Sequence, residues 1–332
     1  MPTMTIIANE ISYNAAISAC EKGRQWQLAL SLLSSMPDMM LIAKEVSYNA
    51  AISACEKGGW WQLALSLLGS IPDMRIVPTE ISYSAAIGVC KTGGQWQLAL
   101  SLLSSMPDMR FLPNEISYTA AITSCSREVQ WQLSLSLLSS MPAMRVIADE
   151  FSHSAAISGC EKGRQWRMGL SILSGMPDSM IAPDEITYNA AISACEKNCQ
   201  WQLALNLLSR MPEASVVPYT ITYNAAISAC EKGGQWQLAL NLLSLMPKAR
   251  VVPNEITYSA AISAFEKGGE WQLALNLLNL MSEARVVPNE ITYSAAISAC
   301  EQGGQCAVAV SLLGKESAGS LNLLVEVRQQ KT

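Results

Sequence analysis

Residues 220–254 read TITYNAAISACEKGGQWQLALNLLSLMPKARVVPN. Two helices are written into this stretch. Pro218 stands before the first, and Lys232-Gly233-Gly234 breaks it. In the second, Trp236, Ala239, Leu240 and Leu243 fall at i, i+3, i+4 and i+7, which makes one buried stripe. Met246-Pro247 ends it, because proline has no N–H for an interior helical bond. A short loop then leads to Pro253 and the next copy.

The same stretch recurs along the chain. Tyr13, Tyr48, Tyr83, Tyr118, Tyr188, Tyr223, Tyr258 and Tyr293 lie on one 35-residue ladder, and His153 fills its gap. Trp26, Trp61, Trp96, Trp131, Trp166, Trp201, Trp236 and Trp271 form a second ladder, closed by Cys306. Units open at Glu10, Glu45, Glu80, Glu115, Glu150, Glu185, Thr220, Glu255 and Glu290, with no insertion between them. Residues 10–324 therefore read as nine repeats. A fixed period of this size predicts an all-α solenoid of stacked helical hairpins, not two compact domains. Met1-Pro2-Thr3-Met4 aligns with Met36-Pro37-Asp38-Met39, so residues 1–9 read as the tail of a preceding partial repeat, and the chain is expected to be a fragment. Residues 325–332 form a tail, and Leu321, Leu323, Leu324 and Val327 are expected in a short capping helix.

On a helical wheel, Tyr13, Ala16, Ile17 and Cys20 share an apolar packing face. Glu10, Asn14, Ser18 and Glu21 share a polar face, bordered by Ile11 and Lys22. Small Ala15, Ala16 and Ala19 allow close helix approach. Stacked units are thus expected to present a groove lined by the polar faces of the first helices.

Composition argues against several function classes. Half of the 332 residues are apolar, so wholesale disorder is excluded. One histidine argues against most zinc sites and against a Ser/His or Cys/His catalytic pair. No Gly-rich phosphate loop or paired-carboxylate motif is present. Catalysis, metal and cofactor are therefore not expected. Net charge −5 is the wrong sign for a general nucleic-acid coat, and DNA binding is not expected. No run of 18 apolar residues predicts a membrane span. The first residues show neither a signal peptide nor a transit peptide.

The cysteines invite a disulfide or metal reading. Cys20, Cys55, Cys90, Cys125, Cys160, Cys195, Cys230 and Cys300 are 35-residue equivalents on the packing face, and Phe265 takes the remaining place. Stacked equivalents lie at helix-packing distance, whereas a disulfide needs Cα atoms within about 7 Å. They are read as buried hydrophobes. The Trp ladder, with Leu and Ala at helical spacing, is read as core rather than as a base-stacking platform. His153, at a Tyr place, is read as a tolerated substitution.

The run from Ile221 to Trp236, with Leu240 to Met246 and Pro253-Asn254, resembles the first helix, turn, second helix and closing loop of the pentatricopeptide repeat family. The 35-residue period separates it from the 34-residue tetratricopeptide family. The resemblance implies a right-handed superhelical solenoid that binds single-stranded RNA, one base per repeat, in a chloroplast or mitochondrion. It further implies that the fifth and last residues of each unit select the base, while the second residue sandwiches it. Base-edge readout by short amides and hydroxyls, between aliphatic flanks, is chemically sensible for unstacked RNA.

Carried over, the fifth residues are Asn14, Asn49, Ser84, Thr119, Ser154, Asn189, Asn224, Ser259 and Ser294. The usual closing residues are Asn114, Asp149, Asp184, Asn254 and Asn289; Lys44, Thr79 and Tyr219 depart from the pattern. The implied target is 5′-Y-Y-A-G-G-Y-C-A-R-3′. Basic residues near the end of the first helix, implied to contact phosphate, are Lys22, Lys57, Arg127, Lys162, Lys197, Lys232 and Lys267.

Each assignment has a rival. The closing Asn and Asp precede a helix-opening Glu, the place of an N-cap. Glu21, Glu56, Glu161, Glu196, Glu231, Glu266 and Glu301 stand next to the basic positions, so the helix ends also read as self-compensated charge. A protein-interaction scaffold is the alternative function, and a decaying duplicate without a function of its own is a third reading.

Overall fold

The computed structural model describes residues 9–71 and 78–313. The expected capping helix at Leu321 to Val327 and the expected partial repeat before residue 9 lie outside them. Among the described residues every regular element is helical. The first helices of the repeats are α1 (Glu10–Lys22), α3 (Glu45–Gly58), α5 (Glu80–Cys90), α7 (Glu115–Arg127), α9 (Glu150–Lys162), α11 (Glu185–Lys197), α13 (Thr220–Lys232), α15 (Glu255–Gly268) and α17 (Glu290–Gln302). The second helices are α2 (Trp26–Ser35), α4 (Trp61–Ser70), α6 (Trp96–Ser105), α8 (Trp131–Ser140), α10 (Trp166–Gly175), α12 (Trp201–Arg210), α14 (Trp236–Leu245) and α16 (Trp271–Glu283). Residues 306–313 are also helical. Among the described residues no helix is long and apolar enough to cross a membrane.

Local sequence sets these boundaries. Every first helix except α17 is followed by a turn leading straight into the Trp that opens its second helix, and α17 leads into Cys306 in the same way. The turn needs one residue in the left-handed region. Gly234 supplies it at φ 67°, but Val129 is forced there at φ 62°. A β-branched residue pays a steric cost at that angle. The second helices stop after ten residues where Met-Pro follows, as in α14. In the eighth repeat Ser282 replaces that proline, and α16 runs on for 13 residues. The difference follows from proline's missing donor and its clash with the preceding turn.

The contacts divide the chain into two compact units, Met1–Gly163 and Arg164–Thr332. The division falls in the turn of the fifth repeat. The reason lies in the architecture. Each hairpin packs only on its neighbours, so no single core unites the repeats.

In the first unit α1, α3, α5, α7 and α9 pack side by side in order. In the second unit α11, α13, α15 and α17 do the same. Each second helix lies against the first helix of the next repeat in its unit, as α2 does on α3 and α12 on α13. The core is the repeated apolar face. Ile52, Ile87, Ile122, Ile157, Ile192, Ile227 and Ile262 are fully buried, as are Ala51, Ala86 and their equivalents up to Ala296. Met36, Met106, Met141, Met176, Met211, Met246 and Met281 seal the ends of the second helices. The eight ladder cysteines are buried and free, as the packing face requires.

The tryptophans are half-buried, and their partner is in the next repeat. A Cβ placed on Gly233 would lie 2.3 Å from Trp201 Cδ1, and one on Gly268 would lie 2.4 Å from Trp236 Cδ1. At Gly58, Gly93, Gly163, Gly233, Gly268 and Gly303 the ring of one repeat therefore rests on the bare backbone of the next turn. The Trp ladder is a staple between repeats, not a base-stacking platform.

Ile227→Ala should lower stability by about 2–5 kcal/mol, because the cavity cannot collapse between stacked helices. Ile221→Ala, on the same helix but exposed, should stay within about 0.5 kcal/mol. Urea unfolding of the two variants measures the contrast; equal losses would refute this burial pattern.

Candidate nucleic-acid interface

One helical face carries the polar residues singled out from the sequence, and stacking has changed their surroundings. Asn49, Ser84, Ser154, Asn189, Asn224 and Ser259 are buried, while Asn14 and Thr119 are partly exposed and Ser294 is exposed. The fifth residues do not line an open groove as expected from a lone helix. Within each unit Asn14, Asn49, Asn224 and Ser259 sit on its floor, because the next first helix packs over one side of them.

That next helix brings a hydroxyl to them. Ser47 Oγ donates to Asn14 Oδ1 at 2.6 Å, and Ser82 Oγ donates to Asn49 Oδ1 at 2.6 Å. Thr257 Oγ1 donates to Asn224 Oδ1 at 2.5 Å, and the Ser259 and Thr292 hydroxyls meet at 2.7 Å. These third-position hydroxyls are fully buried from Ser47 to Thr292. An asparagine whose carbonyl oxygen is engaged in this way keeps one lone pair and turns its amide hydrogens to a ligand.

The structure also brings fifth and last residues of one repeat together. Asn224 Nδ2 donates to Asn254 Oδ1 at 3.1 Å, and Asn189 Nδ2 to the Tyr219 hydroxyl at 3.0 Å. Ser84 Oγ donates to Asn114 Oδ1 at 3.5 Å.

The capping reading of the closing residues is correct. Asn114, Asp149, Asp184, Asn254 and Asn289 all accept the backbone N–H three residues on, at 2.8–3.0 Å. Removing such a cap costs about 1 kcal/mol of helix stability. The cap and the pairing coexist, because each closing side chain has a second atom or lone pair.

A third member of the arrangement, the opening residue of the repeat, was not assigned from the sequence. Glu45 Oε1 accepts from Thr79 Oγ1 at 2.7 Å, Glu255 Oε1 accepts from Asn289 Nδ2 at 2.6 Å, and Glu80 accepts from Asn114. Lys44 instead forms an ion pair with Glu10 at 2.9 Å. In the fourth repeat two acids meet. The hydrogen bond to Asp149 holds the Glu115 carboxyl above its usual range, helped by burial and by the Asp149 charge. Burial of Asp149 opposes its ionisation, but bonds from Ser152 and Glu115 outweigh this and hold it below its usual value.

The second residues stand at the rim. Ile11, Val46, Ile81, Ile116, Phe151, Ile186, Ile221, Ile256 and Ile291 are all more than half exposed. A large apolar side chain thus flanks each reading position in solvent, where packing gains nothing from it.

The basic positions are largely engaged. Lys57 Nζ pairs with Glu21 at 2.8 Å, Lys267 Nζ with Glu231 at 2.8 Å, and Lys232 with Glu196. In each case the acid belongs to the preceding repeat. The self-compensation anticipated from the sequence is present, but it acts between repeats and not between chain neighbours. Lys22, Arg127 and Lys162 are exposed, and Lys197 is partly so. Among the described residues no cluster of three or more His, Cys, Asp or Glu is gathered for a metal.

Comparison with known proteins agrees with this architecture. A model described as the PPR repeat family matches residues 183–230 and 218–267, the Pentatricopeptide repeat domain matches 256–302, and the PPR repeat matches 11–40 and 46–76. The chain belongs to the pentatricopeptide repeat family. Among curated proteins no sequence matches it significantly. Its fold is similar to the crystal structure of the pentatricopeptide repeat protein PPR10 from maize, with TM-score 0.57 at 19% identity over 92% of this chain and 49% of that one. A structure of PPR10 in complex with an 18-nt psaJ RNA element superposes with TM-score 0.66 at 18% identity, over 94% of this chain and 51% of that one. This pentatricopeptide chain thus spans about half the length of the solved PPR10 chains. The helical hairpins described above are the fold of those solenoids.

Proposed function

We propose that the chain binds single-stranded RNA sequence-selectively, one base per repeat, without catalysing a reaction on it. The observation that carries this reading is the repeated pairing of a fifth and a last residue beside an exposed aliphatic. A base laid on the floor would meet polar atoms at its edge and apolar groups at its faces. Asparagine at the fifth place, as at Asn14, Asn49 and Asn224 where the oxygen is engaged, offers a donor to the O2 carbonyl that cytosine and uracil share. A fifth-place hydroxyl turns as donor or acceptor, which suits purine edges. PPR10 is solved with an RNA element bound, which supports the same ligand class here. By the family resemblance, the place of action is a chloroplast or mitochondrion and the role is RNA processing, stability or translation.

The test is a titration at about 150 mM salt with two labelled nine-nucleotide RNAs, one of the class 5′-YYAGGYCAR-3′ and one its purine/pyrimidine complement. The first should bind at least tenfold more tightly. If neither binds better than about 10⁻⁴ M, the nonspecific limit, RNA binding is refuted. Equal binding refutes the base assignments and leaves RNA binding standing. Asn224→Ser should move preference at the seventh repeat from C towards A, and an unchanged preference counts against that assignment.

A further inference from the structure

The ion pairs along the first-helix ends form a ladder with one break. Upstream of the break, Lys57 reaches back to Glu21. In the second unit Lys232 reaches back to Glu196, and Lys267 to Glu231. These acids are only 15–24% exposed, so their lysines are tethered on the protein side of the rim.

The third and fourth repeats lack the acid. Lys91 stands where the other repeats have Glu, and Ser126 takes the next such place. Lys91 Nζ reaches Glu56 at 3.3 Å. Arg127, reaching back in its turn, finds the Lys91 carbonyl at 3.5 Å in place of a carboxylate. The acid's place in the repeat before Lys162 is held by Ser126, which is buried and directs its hydroxyl to the Ala155 carbonyl at 2.6 Å. No carboxylate among the described residues lies within 4.0 Å of Arg127 or Lys162. Glu128 is directed to the Gly94 turn.

The same repeats carry a cavity of about 450 Å³ on the groove face. Lys91, Ile116, Thr119, Asp149 and Phe151 help to line it. Thr119 Oγ1 is buried there without a hydrogen-bond partner, an incomplete polar group of the kind a ligand completes. Phe151 and Ile116 are exposed at its edge.

We propose that these repeats are the anchor of the RNA site: Arg127 and Lys162 hold consecutive phosphates, and the base between them enters the cavity against Thr119, Ile116 and Phe151. The tethered lysines Lys57, Lys232 and Lys267 contribute little. This rests on the RNA-binding reading and refines it. It replaces a phosphate track of seven residues with a local one of two.

The experiment compares two double variants in the full chain by anisotropy with the nine-nucleotide RNA across a salt series. R127A/K162A should weaken binding at least tenfold and flatten the log K against log salt slope by about 1.4, at about 0.7 per lost phosphate contact on single strands. K232A/K267A should change affinity less than threefold. A gain-of-function arm guards against misfolding: E231Q, which frees Lys267, should tighten binding several-fold and steepen the slope. Equal losses in the two double variants, or no gain in E231Q, overturn the anchor while RNA binding stands. Failure of the unmodified chain to bind overturns RNA binding itself.

Discussion

Iodoacetamide applied to the native chain at pH 7.4 should consume Cys199 and Cys306 and spare the eight ladder cysteines. Cys199, in a turn, and Cys306, at the start of a helix, are exposed, whereas Cys20, Cys55, Cys90, Cys125, Cys160, Cys195, Cys230 and Cys300 are buried. Burial also pushes the thiols of Cys55, Cys90, Cys125, Cys160, Cys195 and Cys230 up to about 11. At pH 7.4 such a thiol is ionised in roughly one molecule in 4,000, and only the thiolate reacts. The two classes should differ in rate by at least about a hundredfold, resolved site by site by peptide mass spectrometry. Fast labelling of a ladder cysteine would show that its hairpin opens readily.

The same shifts set an alkaline limit. A folded-state pKa above the unfolded value means that the native chain keeps protons the unfolded chain has lost. Stability therefore falls as pH rises through 9 towards 11. Thermal unfolding should occur at a lower temperature at pH 9.8 than at pH 7.5, and an unchanged midpoint would contradict the burial of these thiols.

How far the sequence alone reaches can be judged from particular residues. The hairpin and its boundaries were legible because Trp, Met-Pro and the turn glycines recur at fixed spacing, and each acts locally. The substitution of Ser282 for proline even marks the longer α16. The third-position hydroxyls, Ser12 to Thr292, were equally regular and yet went unassigned. On a lone helix they look like ordinary first-turn residues. Their role appears only when the next repeat is stacked on, since the Ser82 partner is 33 residues earlier. The Lys–Glu ladder shows the same limit. A wheel places Lys57 beside Glu56, whereas in space it pairs with Glu21, 36 residues away. Periodicity reveals the unit; the contacts between units require their stacking geometry.

Replacing Ile186, Ile221 and Ile256 together by Glu should abolish RNA binding while leaving the fold intact. All three are second residues of first helices and more than half exposed. Burial does not explain them, because little of their surface is removed from water. Helix stability does not explain them either, since β-branched isoleucine is a poorer helix former than the Ala or Glu available at the same place. An acid in the first turn is in fact favoured by the helix dipole, so circular dichroism and the thermal midpoint should be nearly unchanged. The isoleucines gain value only if something is laid between them. If each clamps a base for about 1 kcal/mol, the low end for stacking contacts, the three together amount to about 3 kcal/mol. That corresponds to more than about 100-fold in affinity, before the added repulsion between Glu and phosphate. Unchanged RNA affinity would transfer the exposed stripe to another partner, and the scaffold reading would then account for it better. The distinction is sharp because the substitution removes the faces of the site and leaves Asn189, Asn224 and the closing residues in place at its edge.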